Sequence, residues 1–241
     1  MHNLKENIYK RNGYDTSLNL SIEELKILRE IIRDQYLNRI SEFNSKHYND
    51  FKAREMSSYH EISHLIDHKA LWPKNFRCLT SESIDKIKKF SFISKIENQF
   101  GEFYISDEDN IGREEVYWRL VRPENNSDVG PLHADIWFWE LNYPKNIKDK
   151  RIKVWMPIFC DVPNTGFRFV PNSHKEKWNY ENKFKDGKLK PVFEIDESRI
   201  DLKKFTGKPG DIMIFNDRLL HGGYTTPSKT RVSLELTIII K

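Results

Sequence analysis

The sequence predicts a mainly β protein with an N-terminal layer of helices, and three observations lead to this fold class. Amphipathic helical patterns fill the first 101 residues, whereas short alternating segments bounded by glycine, proline and asparagine fill residues 102–241. Many short strands separated by such turns are typical of an all-β sandwich or barrel. The 38% hydrophobic and 13% aromatic content indicates a folded globule. We therefore expect one domain over residues 1–241, with a mostly helical part (1–101) buttressing a β core (102–241).

The helices are read from caps and periodic apolar positions. Residues 1–19 are polar and are expected to be extended or mobile. Ser21 and Glu24 have the spacing of a capping box, which marks a helix start, and Gly101 marks a helix end. Helices are predicted over Ser21–Ile40, Ser58–Lys69 and Ser81–Gln99.

The strands come from period-two alternation. They are predicted at Phe103–Ile105, Glu115–Arg122, around His133, and at Ile152–Val162, Phe167–Val170, Val192–Ile195, Asp211–Phe215 and Arg231–Ile240. Asp107–Asn110 is expected to be a turn. Lys175–Lys190 is lysine-rich and has no clear core pattern, so it is either a solvated loop or a segment that attracts an anionic group.

Charge and cysteine usage exclude several classes of protein. The net charge of +4 comes from 40 basic and 36 acidic residues without a concentrated basic stripe, so we expect no nucleic-acid binding. An anionic small substrate stays open. Cys78 and Cys160 do not make a disulfide framework, which predicts a reducing, cytoplasmic setting. No signal peptide and no apolar run long enough for a membrane helix is present, so no membrane partner is expected.

The motif that organises the chain is His133-Ala134-Asp135. On a strand, residues i and i+2 project from the same face, so the imidazole and the carboxylate can reach one point. His221, at the end of a distant apolar strand, would add a second imidazole. Two histidines and one carboxylate form the facial triad that leaves three sites open on octahedral Fe(II). The alternative for the His133–Asp135 pair alone is a buried, hydrogen-bonded pair without metal.

The ordered set of His133, Asp135, His221 and Arg231 resembles the phytanoyl-CoA dioxygenase-like family of Fe(II)/2-oxoglutarate-dependent oxygenases. The resemblance covers roughly residues 113–241 and includes the segments Val154–Ile158, Asn164–His174 and Gly210–Ile212. It implies a double-stranded β-helix, the jelly-roll or cupin-like barrel, with the helical layer on one sheet. It also implies Fe(II), 2-oxoglutarate and O2 as cofactors.

The resemblance assigns further roles. Arg231 would hold the distal carboxylate of 2-oxoglutarate, helped by the Ser233 or Thr225 hydroxyl, and Trp155 would line the cosubstrate pocket. Alternatively, Arg231 is a surface arginine and Trp155 is a core residue without contact to a cosubstrate. Because related halogenases carry a small residue where Asp135 stands, the resemblance favours hydroxylation.

Five residues are candidates for the substrate cavity. Strand alternation would place Trp137 and Trp139 on the ligand face, with Phe138 facing away. The alternative is that all three aromatic residues are core. Arg119 and Arg122 are further candidates, although a solvated strand face explains them at least as well. Arg168 is a candidate because it shares a segment with positions that lie near the substrate in the family.

Three histidines form a second possible cluster. His60, His64 and His68 recur every four residues, so one helix face could carry all three. No accompanying zinc pattern is present, and we expect a solvated or substrate-facing surface. His174 follows a turn and is expected to be structural.

The predicted function is Fe(II)/2-oxoglutarate-dependent hydroxylation of a C–H bond in a small or medium-sized metabolite, with release of succinate and CO2. The alternatives are a non-catalytic jelly-roll binding module of cupin or lectin type, and a protein hydroxylase on the same scaffold. The sequence leaves the oligomeric state open.

Overall fold

The computed structural model describes residues 3–142, 149–185 and 187–241. Its α-helices are α1 (Leu4–Tyr9), α2 (Ile22–Asn44), α3 (Tyr48–Lys52), α4 (Tyr59–Ile62), α5 (His68–Leu71), α6 (Ser81–Ile87), α7 (Ser91–Phe100) and α8 (Ile136–Asn142). Its strands are β1 (Tyr14–Asn19), β2 (Phe103–Ile105), β3 (Val116–Val121), β4 (Lys150–Phe159), β5 (Asn164–Phe169), β6 (Glu181–Lys185), β7 (Lys188–Val192), β8 (Lys203–Thr206), β9 (Asp211–Asn216), β10 (His221–Gly223) and β11 (Arg231–Ile240).

The strands form two main antiparallel sheets. The large sheet has the order β1–β9–β4–β11–β2, and β3 also pairs with β11. The small sheet has the order β10–β5–β8, while β6 and β7 make a separate hairpin. In the described residues the two sheets do not join into a closed barrel. The mainly β class with helices is therefore confirmed.

The outer face of the large sheet packs against the helices. On β11, Val232, Leu234, Leu236 and Ile238 alternate with inward residues and are almost completely buried. They share a hydrophobic cluster, here called the outer core, with apolar residues of α1, α2, α6 and α7. This packing is the helical layer that the sequence predicts.

The inner face of the same sheet is different in character. The residues of β11 that point inward are Arg231, Ser233, Glu235 and Thr237. Next to them lies an inner aromatic cluster that joins the two sheets: Trp155, Phe167, Phe169, Phe205, Met213, Phe215 and Leu219. The large sheet thus separates an apolar outer core from an inner face that carries charges and aromatic rings.

Helix α2 begins at the capping box that the sequence predicts. The Ser21 hydroxyl accepts a hydrogen bond from the Glu24 backbone N–H at 3.1 Å, and Glu24 accepts one from the Ser21 N–H at 2.7 Å. The helix runs one turn beyond Ile40, to Asn44.

The expectation that residues 1–19 are extended or mobile holds for β1, which is extended, but is wrong for α1, which is a helix; residues 1 and 2 lie outside the described residues. Asn3 caps α1, whose Leu4 and Ile8 are buried, and β1 pairs with β9 at the edge of the large sheet. Apolar residues are too few here to make a helical or strand pattern in the sequence, yet Leu4, Ile8 and Leu18 are buried in the core.

Two of the predicted helices are interrupted. The segment Ser58–Lys69 contains α4 and a 3₁₀ turn, and a new helix starts where Asp67 caps α5. The segment Ser81–Gln99 breaks at Phe90, which adopts an extended conformation with its ring buried. Gly101 ends α7 with φ of 85°, as its position in the sequence predicts.

The region between β5 and β9 differs most from the prediction. Part of Lys175–Lys190 forms the exposed β6–β7 hairpin, although residue 186 lies outside the described residues. The strand expected at Val192–Ile195 ends at Val192, and β8 has no counterpart in the prediction. The expectation of a single domain stays a prediction. The outer core agrees with it, because this cluster contains residues from both the helical part and the β part of the chain.

Two isoleucines on α2 test the packing of the helical layer. Ile32 is fully buried in the outer core, whereas Ile22 is 85% exposed. We expect Ile32→Ala to lower the free energy of unfolding by about 2–5 kcal/mol, because it removes buried methyl groups and leaves a cavity. The matched Ile22→Ala change should alter it by less than about 0.5 kcal/mol. Urea denaturation measures both, and equal effects would contradict this packing.

Candidate active site

His133 and His221 are brought together by their own backbones. The His133 N–H donates to the His221 carbonyl at 2.9 Å, and the His221 N–H donates back to the His133 carbonyl at 2.9 Å. This bridge extends the small sheet beyond β10 by one residue pair. It fixes the imidazoles side by side, with ring centroids 4.4 Å apart.

Asp135 is delivered by a turn, so the expectation of a His133–Asp135 strand is wrong. Helix α8 starts at the next residue, and the Asp135 carbonyl accepts from the Phe138 N–H at 3.0 Å. The Ile136 N–H donates to the Asp217 carbonyl at 3.0 Å, which ties the start of α8 to the loop before β10. The carboxylate still reaches both imidazoles, because the turn keeps it on their side.

The three side chains converge on one point. Nε2 of His133 lies 3.6 Å from Asp135 Oδ1, and Nε2 of His221 lies 3.5 Å from Asp135 Oδ2. One ligand atom from each of the three residues lies within 4.8 Å of the others. This is the spacing expected of three ligands on one face of a metal ion.

Hydrogen bonds fix which imidazole nitrogen is free. His133 Nδ1 lies 2.9 Å from the Pro131 carbonyl oxygen, and His221 Nδ1 lies 2.9 Å from the Leu219 carbonyl oxygen. Since a carbonyl can only accept, we assign the proton to Nδ1 in both rings. The Nε2 lone pairs therefore point toward Asp135, ready to bind a metal.

Burial and charge set the protonation states. Burial would raise the pKa of the Asp135 carboxyl, but the charge of Lys153 and the closeness of the two imidazoles hold that pKa well below its usual range. Burial lowers the pKa of His221 to about 4. At neutral pH the site thus offers an ionised carboxylate and an uncharged His221 ring.

These residues fit a bound Fe(II). The Asp135 carboxylate has a buried oxygen, Oδ2, without a hydrogen-bond partner among the described residues, as expected of a carboxylate that binds a cation. Two neutral imidazoles and one carboxylate match the mixed nitrogen and oxygen set that non-haem Fe(II) takes in a facial triad.

Arg231 is a buried cation without an acidic partner. It is 2% exposed, and its Nη1 donates to the Gly166 carbonyl at 3.0 Å. Burial lowers the pKa of Arg231 to about 10, so the guanidinium stays charged at neutral pH. Among the described residues no carboxylate lies within 4 Å of it, and its Nε is buried and unpaired. Because an unpaired buried charge is costly, this geometry favours an anionic ligand.

The other predicted cosubstrate residues differ in placement. Trp155 is buried in the inner aromatic cluster, and the Arg231 guanidinium carbon lies 5.8 Å from its ring centroid. Ser233 is buried and faces inward two residues after Arg231. Thr225 is half-buried in the loop before β11, and no hydrogen bond joins it to Arg231 in the part of the chain described.

The alternation expected for Trp137 and Trp139 is wrong, because residues 136–142 form a helix. Trp137 stacks on Tyr180, away from the imidazoles, with ring centroids 4.6 Å apart. The guanidinium carbon of Arg151 lies 4.6 Å from the ring centroid of Trp139. Phe138, expected to face away, instead meets the His133 ring edge-on at 5.5 Å.

The three candidate arginines separate into different environments. Arg119 faces inward on β3, opposite Ser233, and pairs with Glu235 at 3.4 Å. Arg122 is held in two places by Asp128, at 2.8 and 2.9 Å, and so anchors a loop. Arg168 pairs with Glu197 on the face of β5 opposite Phe167. Since Phe167 stacks on the His221 ring, Arg168 faces away from the triad.

The second histidine cluster does not form, because the helix that would carry it is broken. His60 Nδ1 meets the Thr230 hydroxyl at 3.0 Å, His64 is exposed, and His68 Nδ1 meets the Tyr59 hydroxyl at 2.9 Å. The solvated surface expected for all three describes His64 alone. His174 is buried beside Gly13, in agreement with a structural role.

Sequence reasoning missed the charged residues around Asp135. Lys153 lies 3.9 Å from Asp135 Oδ2, and Glu108 lies 3.0 Å from Lys153. Glu235 is opposite Trp155 on the inner face. Alternation along β4 and β11 could have placed Lys153 and Glu235 inside, but Glu108 belongs to a loop without such a signal.

A cavity of about 600 Å³ lies at one end of the large sheet, apart from these residues. It is bounded by the buried Arg151–Asp217 pair, whose atoms approach to 3.1 Å, and by Tyr9 of α1. None of the three converging ligands lines it. This cavity therefore does not mark the position of the three ligands.

Comparison with known families decides the identity of this arrangement. The model of the family described as phytanoyl-CoA dioxygenase (PhyH) matches residues 39–232. The chain belongs to the phytanoyl-CoA dioxygenase family. It is accordingly a non-haem oxygenase that depends on Fe(II), 2-oxoglutarate and O2, and the predicted family, enzyme class and cofactors are confirmed. A comparison with curated protein sequences gave no match.

Solved structures share the fold over nearly the whole chain. ThoJ, a non-heme monooxygenase in its apo form, has 13% identity and a TM-score of 0.60 over 99% of this chain and 77% of its own. EctD from S. alaskensis with 2-oxoglutarate and 5-hydroxyectoine has 14% identity and a TM-score of 0.60, covering 99% and 76%. EvdO2 from Micromonospora carbonacea var. aurantiaca, complexed with 2-oxoglutarate, has 11% identity and a TM-score of 0.58, covering 100% and 91%.

At these identities the likeness establishes the fold, and the expected jelly-roll architecture is confirmed. Among the described residues, no helix combines the length and the apolar character that crossing a membrane requires.

Two histidines test the location of the metal. We expect the wild-type protein to bind Fe(II) or Co(II) at one site, and His221→Ala to weaken that binding by at least about 100-fold because one of three ligands is lost. His64→Ala, which changes an exposed histidine of the second cluster, should bind as the wild type does. Anaerobic calorimetric titration measures both. Equal loss in the two variants would place the metal elsewhere.

Proposed function

We propose that this protein hydroxylates a C–H bond of a small or medium-sized polar metabolite, coupled to oxidative decarboxylation of 2-oxoglutarate to succinate and CO2. One observation carries the proposal. A convergent His133, Asp135 and His221 stand beside the buried Arg231, which has no carboxylate within 4 Å in the described residues. The triad accounts for a metal, and the arginine accounts for an anionic cosubstrate.

The triad would hold Fe(II) through Nε2 of His133, Nε2 of His221 and one Asp135 oxygen. Three ligands on one face leave three positions for cosubstrate and dioxygen. When bound, iron with 2-oxoglutarate and O2 supplies the oxidising chemistry, which no side chain here could perform. Because Asp135 occupies a ligand position, the family resemblance favours hydroxylation over halogenation.

Arg231 would grip the far carboxylate of 2-oxoglutarate. A guanidinium can pair with a carboxylate through two N–H groups, and the unpaired Nε of Arg231 is one such donor. Gly166 holds the arginine in place through its carbonyl, and a side chain at Gly166 would collide with it, since an added Cβ would lie 2.5 Å from Arg231 Cδ.

The aromatic residues orient the triad and exclude water. Phe167 stacks on His221 with an interplanar angle of 16°, Phe215 packs at 4.7 Å from the same ring, and Phe138 meets His133 edge-on. Trp155 would form the wall between the metal and Arg231. A dry, preorganised site limits side reactions of the bound oxidant.

The charged inner wall favours a polar substrate. Arg119 pairs with Glu235, and Lys153 pairs with Glu108, so four charges line the side of the large sheet that faces the triad. A long acyl chain would displace water from these ion pairs without bonding to them, whereas a polar metabolite could bond to them. Of the predicted substrate residues, Arg119 is the one that we retain; an anionic group on the substrate stays part of the proposal.

A reducing, cytoplasmic location also stays part of the proposal. Its support is that Cys78 and Cys160 are both buried free thiols.

Two arginines test the cosubstrate assignment. Under anaerobic conditions, Fe(II) and 2-oxoglutarate should produce a weak visible charge-transfer band in the wild-type protein. Arg231→Met should retain metal binding but lower the affinity for 2-oxoglutarate by roughly 30-fold or more, equivalent to about 2 kcal/mol, because a buried ion pair is lost. Arg168→Met removes a guanidinium from the opposite face of β5 and should titrate as the wild type does.

Gly166→Ala supports the same assignment without touching the charge, since it should displace Arg231 and also weaken 2-oxoglutarate binding. If neither variant changes the titration, Arg231 does not bind the cosubstrate. If the wild-type protein gives no band and binds no iron, a binding module becomes the better explanation. Gain of one oxygen atom by proteins but not by metabolites of a lysate would favour the protein hydroxylase.

A further inference from the structure

A lysine lies beside the triad, on the inner face of β4. Lys153 faces Thr237 across the β4–β11 pair, and its side chain is only 10% exposed. A buried ammonium is costly unless its N–H groups are all satisfied and its charge is compensated. The partners of Lys153 therefore indicate why a lysine is tolerated there.

The ammonium has three partners at graded distances. Lys153 Nζ donates to Thr237 Oγ1 at 2.7 Å and to Glu108 Oε1 at 3.0 Å. Asp135 Oδ2 lies 3.9 Å away. Since an ammonium has three N–H groups, two are used and one remains for Asp135. Asp135 Oδ2 is the buried oxygen of the triad that has no hydrogen-bond partner.

Glu108 is held rigidly against the lysine. It belongs to the loop between β2 and β3, where the Glu115 carboxylate accepts from the Glu108 N–H at 3.1 Å and from the Asp109 N–H at 3.0 Å. The Thr237 hydroxyl donates to Glu108 as well. Because Glu108 offsets the charge of Lys153, the pair adds little net repulsion toward a metal cation.

We propose that Lys153 is a positioning residue for the metal ligand Asp135, held in place by Glu108 and Thr237. The inference rests on the proposed function, in which Asp135 binds Fe(II) through one oxygen. The lysine would hold the other oxygen, so the carboxylate cannot rotate to bind through both. This keeps three coordination positions open for 2-oxoglutarate and dioxygen.

The local backbone explains why Asp135 needs such a partner. A ligand on a strand is aimed by the pleat and by both neighbouring strands, but Asp135 lies in the turn before α8. The Asp135 carboxylate therefore has more freedom than the His221 ring, whose Nδ1 is bonded to a carbonyl. Lys153 supplies the missing restraint from the opposite sheet.

The test replaces the ammonium by an apolar group of similar length. Lys153→Met should weaken binding of Fe(II) or Co(II), measured by anaerobic calorimetry, by about 10-fold or more, the usual cost of losing a partner of a metal ligand. The charge-transfer band of the Fe(II)–2-oxoglutarate complex should also shift, since the Asp135 carboxylate donates differently. Lys153→Arg keeps a cationic donor and should restore most of the affinity.

The matched control is a lysine that contacts the same loop. Lys74 pairs with Asp109 at 2.8 Å but does not contact Asp135, so Lys74→Met should bind metal as the wild type does. If Lys74→Met weakens binding as much as Lys153→Met, the loop and not the lysine acts on the metal, and the proposal fails. Equal metal affinity and an unshifted band in Lys153→Met also refute it.

A double-mutant cycle tests the chain of contacts. Glu108→Gln and Lys153→Met should be non-additive in metal affinity, because both act on Asp135 through the same ammonium. Additive effects would remove Glu108 from the proposal. If Lys153→Met does not fold, Thr237→Val removes one acceptor of the lysine at almost constant shape. It should weaken metal binding about two- to five-fold, and unchanged affinity would count against the proposal.

The wild-type titration separates the two hypotheses. If the wild-type protein does not bind Fe(II), the proposed function fails and Lys153 has no metal ligand to position. If the wild-type protein and Lys153→Met bind equally, the proposed function stands and only the role of Lys153 is rejected.

Discussion

The reciprocal backbone bridge between His133 and His221 is the contact on which the site depends. It joins the edge of the small sheet to the segment that precedes α8. The bridge uses backbone atoms alone, and it holds the two residues side by side, with imidazole centroids 4.4 Å apart. A slip of one residue in this pairing would turn an imidazole to the opposite face. The bonds from Nδ1 of each ring to a carbonyl then leave both Nε2 atoms aimed at Asp135. The placement of the two histidines is therefore a property of the backbone, and the aromatic rings around His221 preserve it.

The large sheet divides the molecule into two chemical environments. The outward residues of β11 are aliphatic and pack on the helices, whereas its inward residues are Arg231, Ser233, Glu235 and Thr237. Such an inner face is worse for stability than an apolar one, because ions lose their hydration on burial. The outer core can carry that cost, since it draws apolar residues from every long helix. We infer that the buried charges of Arg231 and Lys153 are kept for ligand binding, at a cost in stability that the outer core offsets.

The sequence predicts the parts of this structure that rest on local patterns. Strand β11 has the predicted bounds, the Ser21–Glu24 capping box forms, and the three candidate ligands meet. The failures have a different physical origin. The run Ile136–Trp139 has the β-branched and aromatic composition of a strand, yet it forms a helix, whose first N–H, that of Ile136, is bonded to the Asp217 carbonyl of a distant loop. The contacts from Glu108 to Lys153 and from Lys153 to Asp135 join three segments that are distant in sequence. No local sequence pattern could predict them.

The charges around Asp135 also bear on what the family name implies about this chain. A site for an acyl chain needs an apolar wall, and the apolar surface of the inner aromatic cluster is largely used to join the two sheets. The wall beside the triad instead carries the Arg119–Glu235 pair, whose side chains are 38% and 25% exposed. Partly exposed charges at 3.4 Å from each other can exchange that contact for one with a polar substrate at little cost, because water already competes for them. The Lys153–Glu108 pair cannot be exchanged so easily, since the Lys153 side chain is only 10% exposed and both ends are fixed by Thr237. We therefore propose separate uses for the two pairs: the Arg119–Glu235 pair would meet the substrate, and the Lys153–Glu108 pair would hold the metal ligand.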